Sequence, residues 1–502
     1  MNTAKKKKKK PPDDLQKNHT NGHKWRQWHE REVPVQIKST VQNNGVRIII
    51  TSKQLNQDLS LNYPETIWKR FPKNNKHVLL DNIACIFTAH LPLLLKGNIR
   101  LEYNTGYPHS FLWANQSFVR HLPAYWYLYN RQRGKSVSPL LKTILNSRSV
   151  FAATKDLHIT FPETLDENVL IPFTFGKDSF LSYHIAKDLG LKPTLIWFND
   201  PLDEGYEGKH KKKLFDLFFR KSTDRIYVID NPLGSLREKG EGSFGWELAI
   251  TSWIVLSIPF AFAHKSGYIL LGNEKSTNAF FYDDDGYRVV PDYEQCGQAT
   301  EEISLLTQAL TEGEVFTTTF LQGVHDLGII GILKDRYFDN TFPYLMSCWS
   351  ESEEGKDKRW CGDCSKCARL FIYLVANGVD PIKDAGFTSN MLTKSNMHLF
   401  NVFGKKATGT GWDAFGLNLD EQSLAFYIAY LRGNRSHLVN LFHDSALFRS
   451  TKSRFHSLLE EYYGVHDETI TPVQWRKKIH RMFKESLKRV TKEIIQLSSR
   501  NN

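Results

Sequence analysis

The segment 171–180, IPFTFGKDSF, has the residue types and the spacing of a turn that binds phosphate. An apolar run that predicts a strand ends at Gly176, and a helical pattern follows it. Glycine permits backbone conformations closed to other residues, and the unpaired amides of a helix N-terminus attract anions. Lys177 adds a positive charge, and Thr174 and Ser179 add hydroxyl donors. The alternative is an ordinary strand-to-helix corner whose polar residues are solvated.

The stretch TFGKDS within this segment resembles the SGGxDS fingerprint of the PP-loop ATP pyrophosphatase superfamily. Gly176, Asp178 and Ser179 match the fingerprint, and Thr174 keeps the hydroxyl of its first position. Phe175 stands where the family has its first glycine. A Walker A loop differs, because it needs a longer glycine-rich loop that ends in GK[ST]. The resemblance implies that these residues bind ATP, which is cleaved between its α and β phosphates to give an adenylylated substrate and pyrophosphate.

A second candidate site follows the predicted strand 268–271, in the sequence GNEKSTN of residues 272–278. Gly272 and a carboxylate come directly after a buried strand, which is where ligands bind in open α/β sheets. An ordinary polar connection is the alternative. The superfamily resemblance implies that this segment closes over the nucleotide and magnesium, with Asn273 and Glu274 as the candidate residues. Glu274 is expected either to bind magnesium or to act as a base.

Four cysteines form the third candidate site, since Cys348, Cys361, Cys364 and Cys367 have the spacing of ligands for a tetrahedral zinc ion. Disulfides are not expected, because the chain has six cysteines among 502 residues and no signal peptide pattern. A redox-active CxxC pair or a persulfide carrier is the rival interpretation. We favour structural zinc because a complete set of four ligands closes the metal to substrate.

A PP-loop followed by four cysteines is similar to two branches of the superfamily. One branch contains the 7-cyano-7-deazaguanine synthases, and the other contains the ATP-dependent epimerase that inverts the terminal glutamate of UDP-N-acetylmuramoyl-alanyl-glutamate. The second branch resembles this chain in its long region before the PP-loop, its strand followed by GNExSxN and its WCGxCxKC stretch. Both resemblances cover residues 171–381. In the epimerase family a basic, hydroxylated stretch follows the fourth strand, and residues 290–295, VPDYEQ, differ from it.

Both branches activate a carboxylate with ATP, and the resemblance implies catalytic roles for Lys177, Asp178 and Glu274. Magnesium, Lys177 and the loop amides would hold the departing pyrophosphate. A ligase then lets ammonia attack the adenylate, whereas an epimerase removes the α-proton and returns it from the opposite face. We expect an epimerase-like enzyme that acts on a small-molecule carboxylate. The alternatives are a deazaguanine-type ligase, a tRNA-modifying PP-loop enzyme and a non-catalytic nucleotide and zinc scaffold.

The elements around the candidate residues predict a Rossmann-like α/β/α sandwich with a parallel sheet. Helical spacing after the phosphate turn leads to a predicted strand at 194–198, and Asp200 just beyond it is a further candidate for binding the nucleotide. Further strands are predicted at 225–230 and 268–271. An apolar helix between them, ending at His264, has an apolar run too short to span a bilayer.

Length and composition predict several domains, since 502 residues with 41% hydrophobic content can bury a large core. The predicted domains are a disordered basic tail at 1–24, an α+β recognition domain at 25–160, a PP-loop ATP-binding domain at 165–335, a helical region with the four cysteines at 340–450, and basic amphipathic helices at 451–502. We expect a cytoplasmic protein without a transmembrane segment.

The net charge of +12 is concentrated at the two ends of the chain. A lysine run at 5–10 supplies six of these charges, and a basic helix with one apolar face is predicted after Pro472. Docking of that apolar face onto the protein itself is the favoured interpretation of the helix. Binding of a nucleic acid, an anionic lipid surface or a partner protein through the basic ends is the alternative.

Overall fold

The computed structural model describes residues 32–129, 136–152, 158–200, 205–237, 244, 246–348, 353–403 and 419–500. The predicted basic tail at 1–24 lies outside the described residues.

A mixed sheet forms the N-terminal part of the described chain. Its strands are β1 (Glu32–Gln42), β2 (Gly45–Thr51), β3 (Asn56–Asn62), β4 (Asn98–Tyr103) and β5 (Arg148–Val150), in the order β3-β2-β1-β4-β5. Val35 and Ile37 of β1 are buried and alternate with exposed polar residues, as expected when one face of a sheet is covered. The accompanying helices are α1 (Glu65–Trp68), α2 (Lys73–Thr88), α3 (Leu91–Leu94), α4 (Ser110–Ala124) and α5 (Ser138–Asn146).

One stretch of the described chain, Lys73–Leu94, is long and apolar enough to cross a membrane by length and composition alone. It consists of α2 and α3, and most of its apolar window is buried inside the protein, as in a core helix.

A second sheet is entirely parallel and lies at the centre of the described chain. Its five strands are β6 (Asp166–Pro172), β7 (Pro193–Asn199), β8 (Arg225–Asp230), β9 (Ser266–Glu274) and β12 (Phe316–Leu321). Between β9 and β12 the chain forms a separate short hairpin of β10 (Phe281–Tyr282) and β11 (Arg288–Val289). The connecting helices are α6 (Lys177–Asp188), α7 (Tyr206–Phe219), α8 (Gly234–Arg237), α9 (Ala249–His264) and α10 (Gly297–Leu310).

The parallel sheet has the strand order β12-β9-β6-β7-β8. From β6, the next two strands, β7 and β8, are added on one side of the sheet. The chain then crosses to the other side of β6, where β9 and β12 complete the sheet. This is a Rossmann-like α/β arrangement, as the apolar runs of the sequence predicted. The direction of winding reverses between β6 and β9, and such a reversal opens a crevice at the carboxyl ends of the strands.

The end of β9 differs from the sequence prediction, which treated residues 272–278 as a connection after the strand. Gly272, Asn273 and Glu274 continue β9, and a single 3-10 turn, Lys275–Asn278, follows. The reason is pairing with the neighbouring strand, because Leu321 of β12 is in register with Glu274.

The remaining elements of the described chain are helices. They are α11 (Asp326–Arg336), α12 (Phe338–Thr341), α13 (Ser365–Ala376), α14 (Leu419–Leu431), α15 (His437–His443), α16 (Ala446–Ser453), α17 (Phe455–Tyr462) and α18 (Val473–Arg500). The apolar face of α18 is buried and packs against α11, and the Trp475 ring meets the rings of Tyr268 in β9 and Phe320 in β12. The helix therefore docks onto the protein itself, as predicted.

The two faces of the parallel sheet bury different sets of apolar residues. One cluster combines the N-terminal sheet and α2 with α9 and α10, for example Ile37, Ile83 and Ile254. Another cluster combines α6 and α11 with the C-terminal helices, for example Leu181, Ile330 and Phe426. The parallel sheet is thus enclosed on both sides, as is usual for sheets of this kind.

Candidate functional site

The turn between β6 and α6 contains a residue in an unusual backbone conformation. Phe175 has a φ of 61°, in the left-handed region that glycine adopts most readily, and its carbonyl accepts a hydrogen bond of 2.8 Å from Met346 N. Gly176 then precedes the first residue of α6, and no side chain of the described residues caps this helix. The first-turn amides therefore remain available to an anion.

The Phe175 side chain does not line the turn, since it is buried in the aromatic core formed with Phe173, Phe180 and Phe218. Ser179 Oγ donates a hydrogen bond of 3.0 Å to Gly176 O and so folds back onto the turn.

Lys177 is the centre of a buried charge cluster. Its Nζ lies 2.7 Å from Asp178 Oδ1 and forms an ion pair with Asp326, although the Lys177 side chain is only 9% exposed. Burial would lower the pKa of Lys177, but Asp178 and Asp326 raise it above its ordinary value. Lys177 is therefore a permanent cation at the N-terminus of α6.

Glu274 reaches the same cluster from the end of β9. Burial, followed by the nearby Asp326 carboxylate, raises the pKa of Glu274 well above its usual range. Its carboxylate accepts a hydrogen bond from Ser276 N. Gly272 allows this close approach of β9 and α6, because a Cβ at that position would lie 2.7 Å from Asp178 Cβ.

Three charged members of this cluster were not predicted from the sequence: Asp326, Arg369 and Glu421. Asp326 begins α11, and Arg369 Nε of α13 lies 3.7 Å from Asp326 Oδ2. Burial alone would raise the pKa of Asp326, but Lys177 and Arg369 hold that pKa below its usual value. Glu421 of α14 accepts a hydrogen bond of 2.9 Å from Leu327 N, and burial raises the pKa of Glu421 to about 8.

Acidic groups outnumber basic groups in the cluster. The four carboxyl groups of Asp178, Glu274, Asp326 and Glu421 face the two cations Lys177 and Arg369. Buried carboxylates in excess must either hold protons or share a further cation. Mg²⁺ prefers hard oxygen donors of this kind, but no three of these four described carboxyl groups bring their ligand atoms within 4.8 Å of one another.

Two of the predicted nucleotide-binding side chains point elsewhere. Asn273 Nδ2 donates hydrogen bonds to Glu294 O at 2.9 Å and to Thr300 Oγ1 at 2.8 Å, on the α10 side of the sheet. Asp200 follows β7, and its Oδ2 accepts a hydrogen bond of 3.1 Å from Trp253 Nε1 of α9. The structure thus brings Lys177, Asp178 and Glu274 together but not the side chains of Asn273 and Asp200.

Thr174 lies in the turn itself, with its Oγ1 3.3 Å from the position that a Cβ on Gly176 would occupy.

The four predicted metal ligands converge on one point. The sulfur atoms of Cys348, Cys361, Cys364 and Cys367 lie within 4.8 Å of one another, and Cys361 Sγ is 3.7 Å from Cys367 Sγ. A tetrahedral zinc ion with Zn–S bonds of about 2.3 Å would separate its sulfurs by about 3.8 Å. Three backbone amides donate to these sulfurs, each at 3.4 Å. The cluster could therefore bind a metal such as zinc.

The cysteine cluster lies beside the charge cluster because α13 belongs to both. Cys364 caps the N-terminus of α13 by accepting a hydrogen bond from Cys367 N. Arg369 lies on the same helix, two residues after Cys367. Lys366, on the same turn, is close to Asp292. Burial raises the pKa of Asp292 to about 6, although the positive charge of Lys366 acts to lower it. A cysteine cluster that is fixed in place therefore also fixes the positions of the Lys366 and Arg369 side chains.

The charge cluster lies at the reversal point of the sheet, between the carboxyl ends of β6 and β9. Comparison of the chain with family models, with curated proteins and with solved structures found no match.

Proposed function

We propose that this protein is an ATP-dependent enzyme of the PP-loop type, which adenylylates a carboxylate substrate and releases pyrophosphate. The observation that carries the proposal is the position of Lys177, Asp178 and Glu274, which meet where the winding of the parallel sheet reverses. Open α/β sheets bind their ligands in that crevice.

The phosphate turn supports binding of the nucleotide. The uncapped amides at the start of α6 and the Lys177 ammonium supply donors and positive charge for the phosphates. The left-handed backbone at Phe175 is one that glycine adopts without strain, so the family's glycine and this phenylalanine are compatible with the same turn.

Magnesium would be held by one or two of the carboxylates Asp178, Asp326 and Glu274 together with the phosphates of ATP, as is usual for this ion. When bound, it would neutralise phosphate charge and so make pyrophosphate a better leaving group. The residues of the chain supply the rest: Lys177 holds the departing phosphates, and Arg369 balances the charge of Asp326. Transition-state charge is stabilised most strongly by groups that are already oriented, as these buried ion pairs are.

Beyond adenylylation we propose the epimerase branch, because burial and neighbouring charges shift the carboxyl pKa values of the cluster in opposite directions. Burial raises the pKa of Glu274 and of Glu421, whereas two cations keep Asp326 ionised. Carboxyl groups whose pKa values are pushed apart are suited to donate and accept protons within one site. The cysteine cluster would hold structural zinc, since all four ligands come from the protein.

The test is the fate of ATP when the protein is mixed with magnesium and a panel of carboxylic acids. We expect AMP and pyrophosphate, and an Asp178→Asn variant should lose at least 100-fold in rate, consistent with loss of an oriented electrostatic group. Asp230→Asn is the matched control, because Asp230 ends β8 at the same edge of the sheet and is exposed. Formation of ADP would indicate a kinase, and no nucleotide turnover with any acid would favour a scaffold.

A further inference from the structure

Three potential metal ligands lie together outside the charge cluster and the cysteine cluster. His325 precedes α11, Glu461 belongs to α17, and His466 follows α17. One ligand atom from each lies within 4.8 Å of the others. His325 Nε2 is already 3.0 Å from Glu461 Oε1.

Each histidine has one ring nitrogen engaged by an oxygen atom that is not one of the three candidate ligand atoms. His325 Nδ1 lies 3.0 Å from Ser276 Oγ, and His466 Nε2 lies 2.7 Å from Glu461 O. Histidines that bind metals have this arrangement, because the second nitrogen is held by a carbonyl, a carboxylate or another polar group that fixes the tautomer. The remaining nitrogen of each ring is then left with a lone pair for the metal.

We propose that His325, Glu461 and His466 bind a divalent transition-metal ion, for which zinc is the natural probe. Two imidazoles and one carboxylate leave a fourth position open, as in catalytic rather than structural zinc sites. Solvent can reach that position, since the Glu461 side chain is 49% exposed. Ligand atoms of a tetrahedral ion lie about 3.4 Å apart, and the three ligand atoms here already lie within 4.8 Å of one another.

The proposed ion would be linked to the charge cluster through one hydroxyl. Ser276 Oγ, which holds His325, also donates a hydrogen bond of 3.0 Å to Glu421 Oε2 and accepts one of 3.1 Å from Asp326 N. A bound ion would therefore fix His325 and Ser276 and, through them, two carboxyl residues of the candidate active site. It would also join the loop after α17 to the N-terminus of α11.

The experiment counts metal ions in the full-length protein after equilibration with micromolar zinc and removal of the free ion. We expect wild type to retain two zinc ions, one of them in the cysteine cluster. His466→Ala and Glu461→Gln should each retain one, and both variants should fold, because Glu461 is exposed and His466 is half-buried. His456→Ala is the matched control, because His456 is an exposed histidine of α17 outside the three-residue cluster.

A second measurement uses cobalt, because thiolate ligands give the ion a charge-transfer absorption that imidazole and carboxylate ligands lack. The thiolate band should be unchanged in His466→Ala, while the cobalt content falls by one ion. Equal metal content in wild type and both variants would overturn the proposal. Neither result depends on ATP, so failure here is distinguishable from failure of the proposed enzymatic function.

Discussion

Phe175 combines a strained backbone with a well-packed side chain, and these two properties have opposite effects on the stability of the fold. A left-handed conformation costs a non-glycine residue about 1–2 kcal/mol, whereas removal of a buried aromatic side chain costs about 3–5 kcal/mol. We therefore expect Phe175→Gly to lower the free energy of unfolding by about 1–4 kcal/mol, measured by urea denaturation. Because the side chain lies in the core, the variant should bind ATP at least as tightly as wild type.

Phe218→Ala is the control for that prediction, since Phe218 packs against Phe175 but belongs to a regular helix. It loses the same kind of contact without any relief of backbone strain, so it should destabilise the protein more than Phe175→Gly does. The reverse order of stabilities, or weaker ATP binding by the glycine variant, would contradict this account of the turn.

At the scale of elements, α13 is anchored at its N-terminus by the cysteine cluster. The double variant Cys361→Ser/Cys364→Ser should lose one bound zinc ion relative to wild type and unfold at a lower temperature. It should also bind ATP more weakly, because Arg369 follows on the same helix. Metal analysis, thermal unfolding and nucleotide titration measure the three effects.

Cys85→Ala is the comparison variant, since Cys85 is a buried thiol of α2 far along the chain from the cluster. It should keep the full metal content of wild type. If the double variant kept its zinc, or lost it with no change in stability, the cluster would not anchor α13.

The N-terminus of α9 is capped by a carboxylate from another element. Glu294 accepts hydrogen bonds from Ile250 N at 2.8 Å and Thr251 N at 3.0 Å, and burial raises the pKa of Glu294 to about 8. A raised carboxyl pKa in the folded state means that stability is greatest below the unfolded pKa of about 4.3 and falls as pH rises through about 8. Glu294→Gln removes this titration.

Between pH 5 and 8, wild type should therefore lose up to about 1.4 kcal/mol of stability per pH unit relative to Glu294→Gln. Denaturant unfolding at several pH values measures the two slopes. Glu485→Gln, at an exposed position of α18, should follow wild type. Parallel slopes for wild type and Glu294→Gln would show that Glu294 does not titrate in this range.

Sequence patterns predicted most central elements because buried parallel strands are continuous apolar runs. Strand β8 has the predicted limits, Arg225–Asp230, and β7 extends its prediction by one residue at each end. The end of β9 was not predictable in this way, since Gly272, Asn273 and Glu274 have little intrinsic preference for strands. They are extended because β12 pairs with them, which is a contact between residues about 47 positions apart.

At the scale of the whole molecule, the candidate site combines residues that the sequence separates widely. Lys177, Asp178 and Glu274 could be predicted because Lys177 and Asp178 follow β6 and Glu274 ends β9, both strands of the parallel sheet. Asp326 also follows a strand, in the sequence QGVHD after β12, and that signal could have identified it. Arg369 and Glu421 carry no such signal, because only the packing of α13 and α14 brings them to the sheet.

The overall reaction gives a prediction that separates the proposed branches. An epimerase must exchange the α-hydrogen of its substrate with solvent, whereas a ligase of the deazaguanine type must consume ammonia. In deuterated buffer with ATP, magnesium and a nucleotide-sugar peptide ending in glutamate, we expect deuterium at the α-carbon, measured by mass spectrometry. Asp178→Asn should incorporate none above background. Ammonia-dependent AMP formation from a heterocyclic acid, without deuterium, would instead indicate the ligase.

The docking of α18 has a consequence for the synthesis of the chain on the ribosome. Thr318 and Thr471 join β12 to the start of α18 through hydrogen bonds of 2.8 and 2.9 Å, and Arg489 pairs with Asp335 of α11. Until α18 leaves the exit tunnel, β12 at the edge of the sheet lacks its contacts with residues 470–475, and α11 lacks the helix whose Arg489 pairs with Asp335. The growing polypeptide therefore passes through a long interval in which its sheet is formed but incomplete, and nascent chains stalled within that interval should require chaperones to avoid aggregation.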